Sequence, residues 1–265
     1  MPASVTPRTA MSRSSAPRHA IDISEDAGVR YLHFGSDWIQ GAMRIARPWS
    51  LELPYTRDLL FSLLLSEPAQ WPRRILQIGL GAASLTRFIH RHLPASRQTV
   101  VEINPQVEFV ARQFFKLPDD PLRLQIEHGC GAEYLLAGGT DYDLLLVDGF
   151  DPAGRMGALA TAPFLQAARA RLSDDGLLAI NLLGRDRNFG KLLVQLRESF
   201  SDRVLVLPAC ASGNVIALAH RRASRDTPFV ELERRALALK AQTRLDLRPT
   251  LRALQDSCGG ESLHF

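Results

Sequence analysis

Apolar and polar residues alternate along residues 20–46, between the turn-forming stretches EDAG and GSD. A period of two residues is typical of strands that bury one face. From residue 53 to 65 the apolar positions follow a helical period instead, and Pro68 and Pro72 prevent the helix from continuing. The pattern therefore predicts a small β appendage of two or three short antiparallel strands, followed by a helix.

Beyond residue 73, short apolar runs alternate with segments of helical period. Strands alternating with helices imply right-handed crossovers and a doubly wound, mainly parallel α/β sheet. The last two runs, RVLVLPA and NVIALAH, are joined by the short turn CASG, so we expect them to pair as a hairpin. The earlier runs predicted as strands lie at 74–80, 99–103, 122–128 and 142–150, followed by LLAINLL.

These patterns divide the chain into four parts: a tail (1–19), the β appendage (20–52), the α/β domain (53–222) and a helical C-terminal tail (223–265). The first part lacks the apolar region of a secretory signal and is predicted to be disordered. No apolar run approaches the roughly 18 residues of a membrane span. We expect the C-terminal segment to pack on the surface as a helix.

Composition is that of a soluble globular protein and not of a disordered or fibrous one, with 46% hydrophobic and 23% charged residues. The net charge of +4 comes partly from the two ends of the chain, so we expect neither a nucleic-acid nor a membrane partner. Cys130, Cys210 and Cys258 are scattered and odd in number. This argues against a disulfide framework and a zinc site, and suits a cytoplasmic protein without a bound metal.

Candidate ligand-binding residues follow the predicted strands, because ligands of open α/β sheets bind beyond the carboxyl ends of the strands. Gly79 and Gly81 permit a tight turn in which backbone N–H groups approach a ligand. Glu102 ends the next strand and can accept both hydroxyls of an adenosine ribose, although a solvated carboxylate is the alternative. The spacing GLGAAS departs from G-x-G-x-x-G, which favours a mononucleoside such as S-adenosylmethionine over a dinucleotide.

A buried carboxylate is predicted at the end of the fourth strand of the α/β domain. Asp148 directly follows LLLV, so its carboxylate is expected to lose its hydration. The ionised form is then unfavourable unless a cation pairs with it. It can act as a general base toward an amine or as the counter-ion of a sulfonium or ammonium. Asp151 either shares the second role or only caps the turn DPAG.

The segments GLGAASLTRF, VVEINPQ, HGCGAEYL and YDLLLVDGFDPAG resemble the spermidine and spermine synthase family, the polyamine aminopropyltransferases. The resemblance covers about residues 20–220 and implies a Rossmann-like fold of the S-adenosylmethionine methyltransferase type. It also implies aminopropyl transfer from decarboxylated S-adenosylmethionine to a small amine such as putrescine, without a prosthetic group, in a possible homodimer. Asp148 matches the family's proton acceptor and Glu102 its ribose-binding acid. The amine-binding positions correspond to Asp151, Tyr55 and Thr56.

Several positions depart from the family pattern. Ala82 replaces the aspartate that grips the donor's ammonium, Cys130 replaces an acid that contacts adenine, and Arg155 enters a loop that usually reads G-P-A. Without an anion at position 82, the carboxylate of intact S-adenosylmethionine would be tolerated. An S-adenosylmethionine-dependent methyltransferase and a non-catalytic nucleoside-binding relative therefore remain alternatives. The predicted co-substrate site comprises Gly79, Gly81, Ala82, Ser84, Glu102, Cys130 and Gly131.

Overall fold

A computed structural model describes residues 20–36, 38–66, 71–151, 153–222 and 226–265. The predicted tail at 1–19 lies outside the described residues. The β appendage is a three-stranded antiparallel sheet, as predicted, in the order β1-β2-β3. Leu32 and Met43 of this sheet are buried against Ala82 and Phe115 of the α/β domain. Its strands are β1 (Ile21–Asp26), β2 (Val29–Phe34) and β3 (Ile39–Arg44).

The helix predicted at 53–65 is divided into α1 (Pro54–Leu59) and α2 (Ser62–Leu65). Leu59, Leu60 and Phe61 are completely buried, and three consecutive residues cannot share one face of a regular α-helix. The backbone instead tightens at this point, where the N–H groups of Leu60 and Phe61 each bond to the carbonyl three residues earlier.

The main sheet has seven strands in the order β6-β5-β4-β7-β8-β10-β9. The first five are mutually parallel, and β10 runs antiparallel to β8 and β9, which confirms both the mainly parallel sheet and the hairpin. The order changes direction between β4 and β7, where a ligand crevice is expected. The strands are β4 (Arg74–Ile78), β5 (Arg97–Glu102), β6 (Leu124–His128), β7 (Tyr142–Val147), β8 (Leu172–Leu183), β9 (Val204–Val206) and β10 (Asn214–His220).

Two buried clusters cover the two faces of the main sheet. Leu144 and Leu146 of β7 belong to one cluster, whereas Leu145 and Val147 belong to the other, as strand alternation requires. No helix within the described ranges is long and apolar enough to cross a membrane. The remaining elements are α3 (Ser84–His92), α4 (Pro105–Phe114), α5 (Gly131–Leu136), a 3₁₀ turn (Gly157–Ala160), α6 (Ala162–Ala170), α7 (Phe189–Ser199), β11 (Asp226–Pro228), α8 (Phe229–Thr243), α9 (Arg248–Cys258) and β12 (Ser262–His264).

Candidate active site

A cavity of about 710 Å³ lies beyond the carboxyl ends of β4, β5 and β7. This volume is in the range of small-molecule sites. The β appendage and the start of α1 close the opposite side of the cavity. The predicted site residues that line it are Tyr55, Gly79, Gly81, Glu102, Cys130, Gly131, Asp148 and Asp151.

The turn after β4 holds two glycines in left-handed conformations, with φ of +90° at Gly79 and +50° at Gly81. The N–H of Gly79 bonds to the Val101 carbonyl at 2.9 Å, and the side-chain amide of Gln77 donates to the Gly79 carbonyl at 2.6 Å. The turn is thus held by hydrogen bonds to the two neighbouring strands, and its conformation favours residues without a Cβ.

Glu102 is buried, and its carboxylate stabilises the neighbouring turns. One oxygen accepts the Leu80 N–H at 2.8 Å and the other accepts the Asn104 N–H at 2.9 Å. Burial raises the pKa of Glu102, while these backbone hydrogen bonds oppose the rise. A third backbone hydrogen bond comes from Ile103, so about one of the four lone-pair positions of the carboxylate remains for a ligand hydroxyl.

Asp148 directly follows β7 and lines the cavity. Its Oδ1 accepts a hydrogen bond from Asn181 Nδ2 at 2.9 Å, and the Tyr55 hydroxyl also donates to its carboxylate. Burial raises the pKa of Asp148, and these two hydrogen bonds partly offset the rise. The same burial and the adjacent carboxylate raise the pKa of Tyr55 well above its usual value, so Tyr55 stays a proton donor.

A chain of hydrogen bonds continues from Asp148 through two asparagines on adjacent strands. Asn181 Oδ1 accepts from Asn214 Nδ2 at 2.9 Å, and Asn214 Oδ1 accepts from the Ser212 hydroxyl at 2.6 Å. With the two amides in these orientations, each asparagine Nδ2 donates to an oxygen and each asparagine Oδ1 accepts a hydrogen bond. The chain therefore directs N–H groups toward Asp148 and favours its ionised form.

Asp151 caps the turn in which it lies, which is one of the two roles that the sequence allowed for it. Its Oδ1 accepts the N–H groups of Ala153 and Arg155, both at 2.9 Å, and its Oδ2 pairs with the Arg155 guanidinium at 2.8 Å. It lines the cavity, but its charge already has a cationic partner.

Three predicted site residues, Ala82, Ser84 and Thr56, are not among the residues that line the cavity. The Ala82 methyl group is buried against β3, since a Cβ built on Gly41 would lie 2.5 Å from it. Ser84 donates to the Ala42 carbonyl at 2.9 Å, and Thr56 donates to the Leu53 carbonyl at 2.6 Å. Their side chains satisfy local structure instead of facing a ligand.

Other lining residues were missed in the sequence. Gln40 and Trp38 of the β appendage reach the cavity, and the Gln40 carbonyl lies against Gly81. Asn181 had a detectable signal, because it is the polar residue of the otherwise apolar strand LLAINLL and lies near that strand's carboxyl end. No group of three His, Cys, Asp or Glu side chains suited to a metal ion occurs in the described part of the chain.

Comparisons with known proteins match this architecture. The family model described as Spermine/spermidine synthase domain matches residues 52–184. A polyamine aminopropyltransferase of Neisseria meningitidis is 37% identical over 245 residues, covering 92% of each chain. A probable spermidine synthase from Corynebacterium glutamicum has a TM-score of 0.72 with 18% identity and 94% coverage of each chain, which bears on the fold alone. Human methyltransferase-like protein 13 in complex with SAH has a TM-score of 0.65 with 27% identity, covering 72% of this chain and 93% of that one.

Proposed function

The chain belongs to the spermine/spermidine synthase family, and we propose that it transfers an aminopropyl group from decarboxylated S-adenosylmethionine to an amine such as putrescine. The observation that carries this proposal is the position of Asp148. Its buried carboxylate faces a cavity that is also lined by Glu102, an acid with lone-pair capacity left for a ribose hydroxyl. A proton acceptor and a nucleoside-binding acid are the two groups that the reaction requires of the protein.

The donor extends across the carboxyl ends of β4 and β5. Glu102 accepts a ribose hydroxyl, and Cys130 and Gly131 border the adenine. The glycine turn lies directly against the backbone of Asp148, because Gly79 carries no Cβ that would collide with the Asp148 carbonyl. Gln40 contacts the donor tail, in the place where the sequence suggested residue 82. The alanine at 82 therefore carries no information about the charge of that tail.

Asp148 makes the acceptor nucleophilic. An alkylammonium has a pKa near 10 and must lose a proton before its nitrogen can attack. Asp148 takes that proton, the nitrogen forms a bond to the carbon attached to sulfur, and the C–S bond breaks. The bonding electron pair remains on sulfur, which leaves neutral methylthioadenosine. Alignment of nitrogen and carbon within one cavity supplies much of the acceleration.

Ligand-induced thermal stabilisation tests this assignment. Methylthioadenosine and decarboxylated S-adenosylmethionine should raise the melting temperature more than the same concentration of S-adenosylhomocysteine does, because a ligand that binds the folded state more tightly stabilises it more. The Glu102→Gln variant should lose most of the shift for all three nucleosides. An equal or reversed ranking would instead support a methyltransferase, and no shift with any nucleoside would contradict the site.

A further inference from the structure

The carboxylate of Asp151 is fully engaged within its own loop. Two backbone N–H groups hold Oδ1, and Arg155 donates to Oδ2 through Nε and Nη2, both at 2.8 Å. Burial raises the pKa of Asp151, but the hydrogen bonds and charge of Arg155 outweigh this and lower it. An acceptor ammonium that approaches Asp151 therefore meets a carboxylate already paired with a cation.

A second arginine lies close to the same wall of the cavity. The Arg185 guanidinium stacks on the Trp38 ring at 5.1 Å from its centroid, and a Cβ on Gly154 would lie 3.3 Å from the same ring. Trp38 thus connects the loop that carries Arg155 to Arg185, and both arginines line the cavity. This end of the cavity combines two cations with one carboxylate.

We propose that Arg155 competes with the acceptor's distal ammonium for Asp151 and thereby disfavours amines with more than one ammonium besides the attacking nitrogen. This inference rests on the proposed function and names the acceptor class. The Arg155 side chain is 74% exposed, and ion pairs of that exposure are weak enough for a ligand to replace. One distal ammonium can therefore share Asp151. A second ammonium, as in a triamine, finds arginines where it needs an acid.

The Arg155→Gln variant tests the proposal, because it removes the cation and retains the backbone N–H that holds Asp151. We expect the kcat/KM for a triamine (spermidine) to rise relative to that for a diamine (putrescine) by up to about fivefold, the range of an exposed ion pair. Adding Asp151→Asn to this variant should abolish the gain, since the freed carboxylate is then absent.

Arg234→Gln is the matched control. Arg234 is 71% exposed and pairs with Glu231 on α8, and neither residue lines the cavity. This variant should leave the triamine-to-diamine ratio unchanged. An unchanged ratio in Arg155→Gln, or a gain that persists with Asp151→Asn, overturns the inference alone. Failure of the unmodified protein to transfer an aminopropyl group to any amine overturns the proposed function, and the inference with it.

Discussion

A Cβ atom placed on Gly79 would lie 2.1 Å from the backbone carbonyl oxygen of Asp148. The turn on the donor side of the cavity therefore contacts the backbone of the residue proposed as proton acceptor. A 3.0 Å hydrogen bond from the Asp148 N–H to the Ile78 carbonyl holds the same two backbone segments together. Because these contacts involve backbone atoms, strand pairing sets the distance between the turn and the backbone of Asp148.

Gly79→Ala should destabilise the fold and weaken donor binding, because its methyl group collides with backbone that cannot move aside. Overpacking of this kind costs about 1–3 kcal/mol, in addition to the strain of a positive φ. Urea denaturation measures the change. Gly138→Ala is the control, since Gly138 has a φ of +74° with no atom within 4 Å of its Cβ position. Equal losses in the two variants would show that the contact with Asp148 contributes nothing.

Asp148→Asn should lower kcat by about 10²- to 10⁴-fold, the range for loss of a general base. The same variant should melt at a higher temperature at neutral pH. Burial raises the pKa of Asp148, so the ionised carboxylate destabilises the fold at pH values above that raised pKa. The penalty fades as the pH falls through the raised pKa. Calorimetry should therefore show the difference in melting temperature shrinking toward acid, and a pH-independent difference would contradict this account.

Tyr55→Phe should move the acidic limb of the kcat/KM profile to higher pH. The Tyr55 hydroxyl donates to Asp148 and lowers the pKa of that carboxyl. Without the hydroxyl, burial raises the pKa of Asp148 further. Asn181→Ala should shift the limb in the same direction. Tyr31→Phe serves as control, because Tyr31 does not line the cavity. A limb that stays in place in both Tyr55→Phe and Asn181→Ala would show that Asp148 is not the titrating base.

Ala82→Asp should not improve donor binding, although the family pattern suggests an acid there. The side chain of residue 82 points toward Gly41 of β3, so a larger group overpacks that contact by about 1–3 kcal/mol. Titration calorimetry with decarboxylated S-adenosylmethionine gives the affinity. A tighter complex would mean that residue 82 reaches the cavity after all.

The sequence was sufficient to locate Gly79, Glu102 and Asp148 because their positions follow from strand ends. Parallel strands bring their carboxyl ends to one edge, so the residue after each apolar run falls beside the crevice. Position along the chain is enough for this inference, and knowledge of distant contacts is unnecessary.

The directions of individual side chains could not be predicted in this way. Ala82 and Ser84 turn toward the β appendage because of contacts with Gly41 and Ala42, which are about forty residues earlier in the chain. Gln40 and Trp38 reach the cavity through the same long-range packing. A short motif contains no information about such contacts, so the directions of the Ala82 and Ser84 side chains do not follow from it.

Product analysis tests the central claim most directly. The purified protein is incubated with putrescine and either decarboxylated or intact S-adenosylmethionine, and the products are identified by mass spectrometry, with Asp148→Asn alongside. We predict spermidine and methylthioadenosine in equal amounts from the decarboxylated donor, and a large loss of both in the variant. Methylated putrescine with S-adenosylhomocysteine from the intact donor, or equal product from Asp148→Asn, would contradict the account.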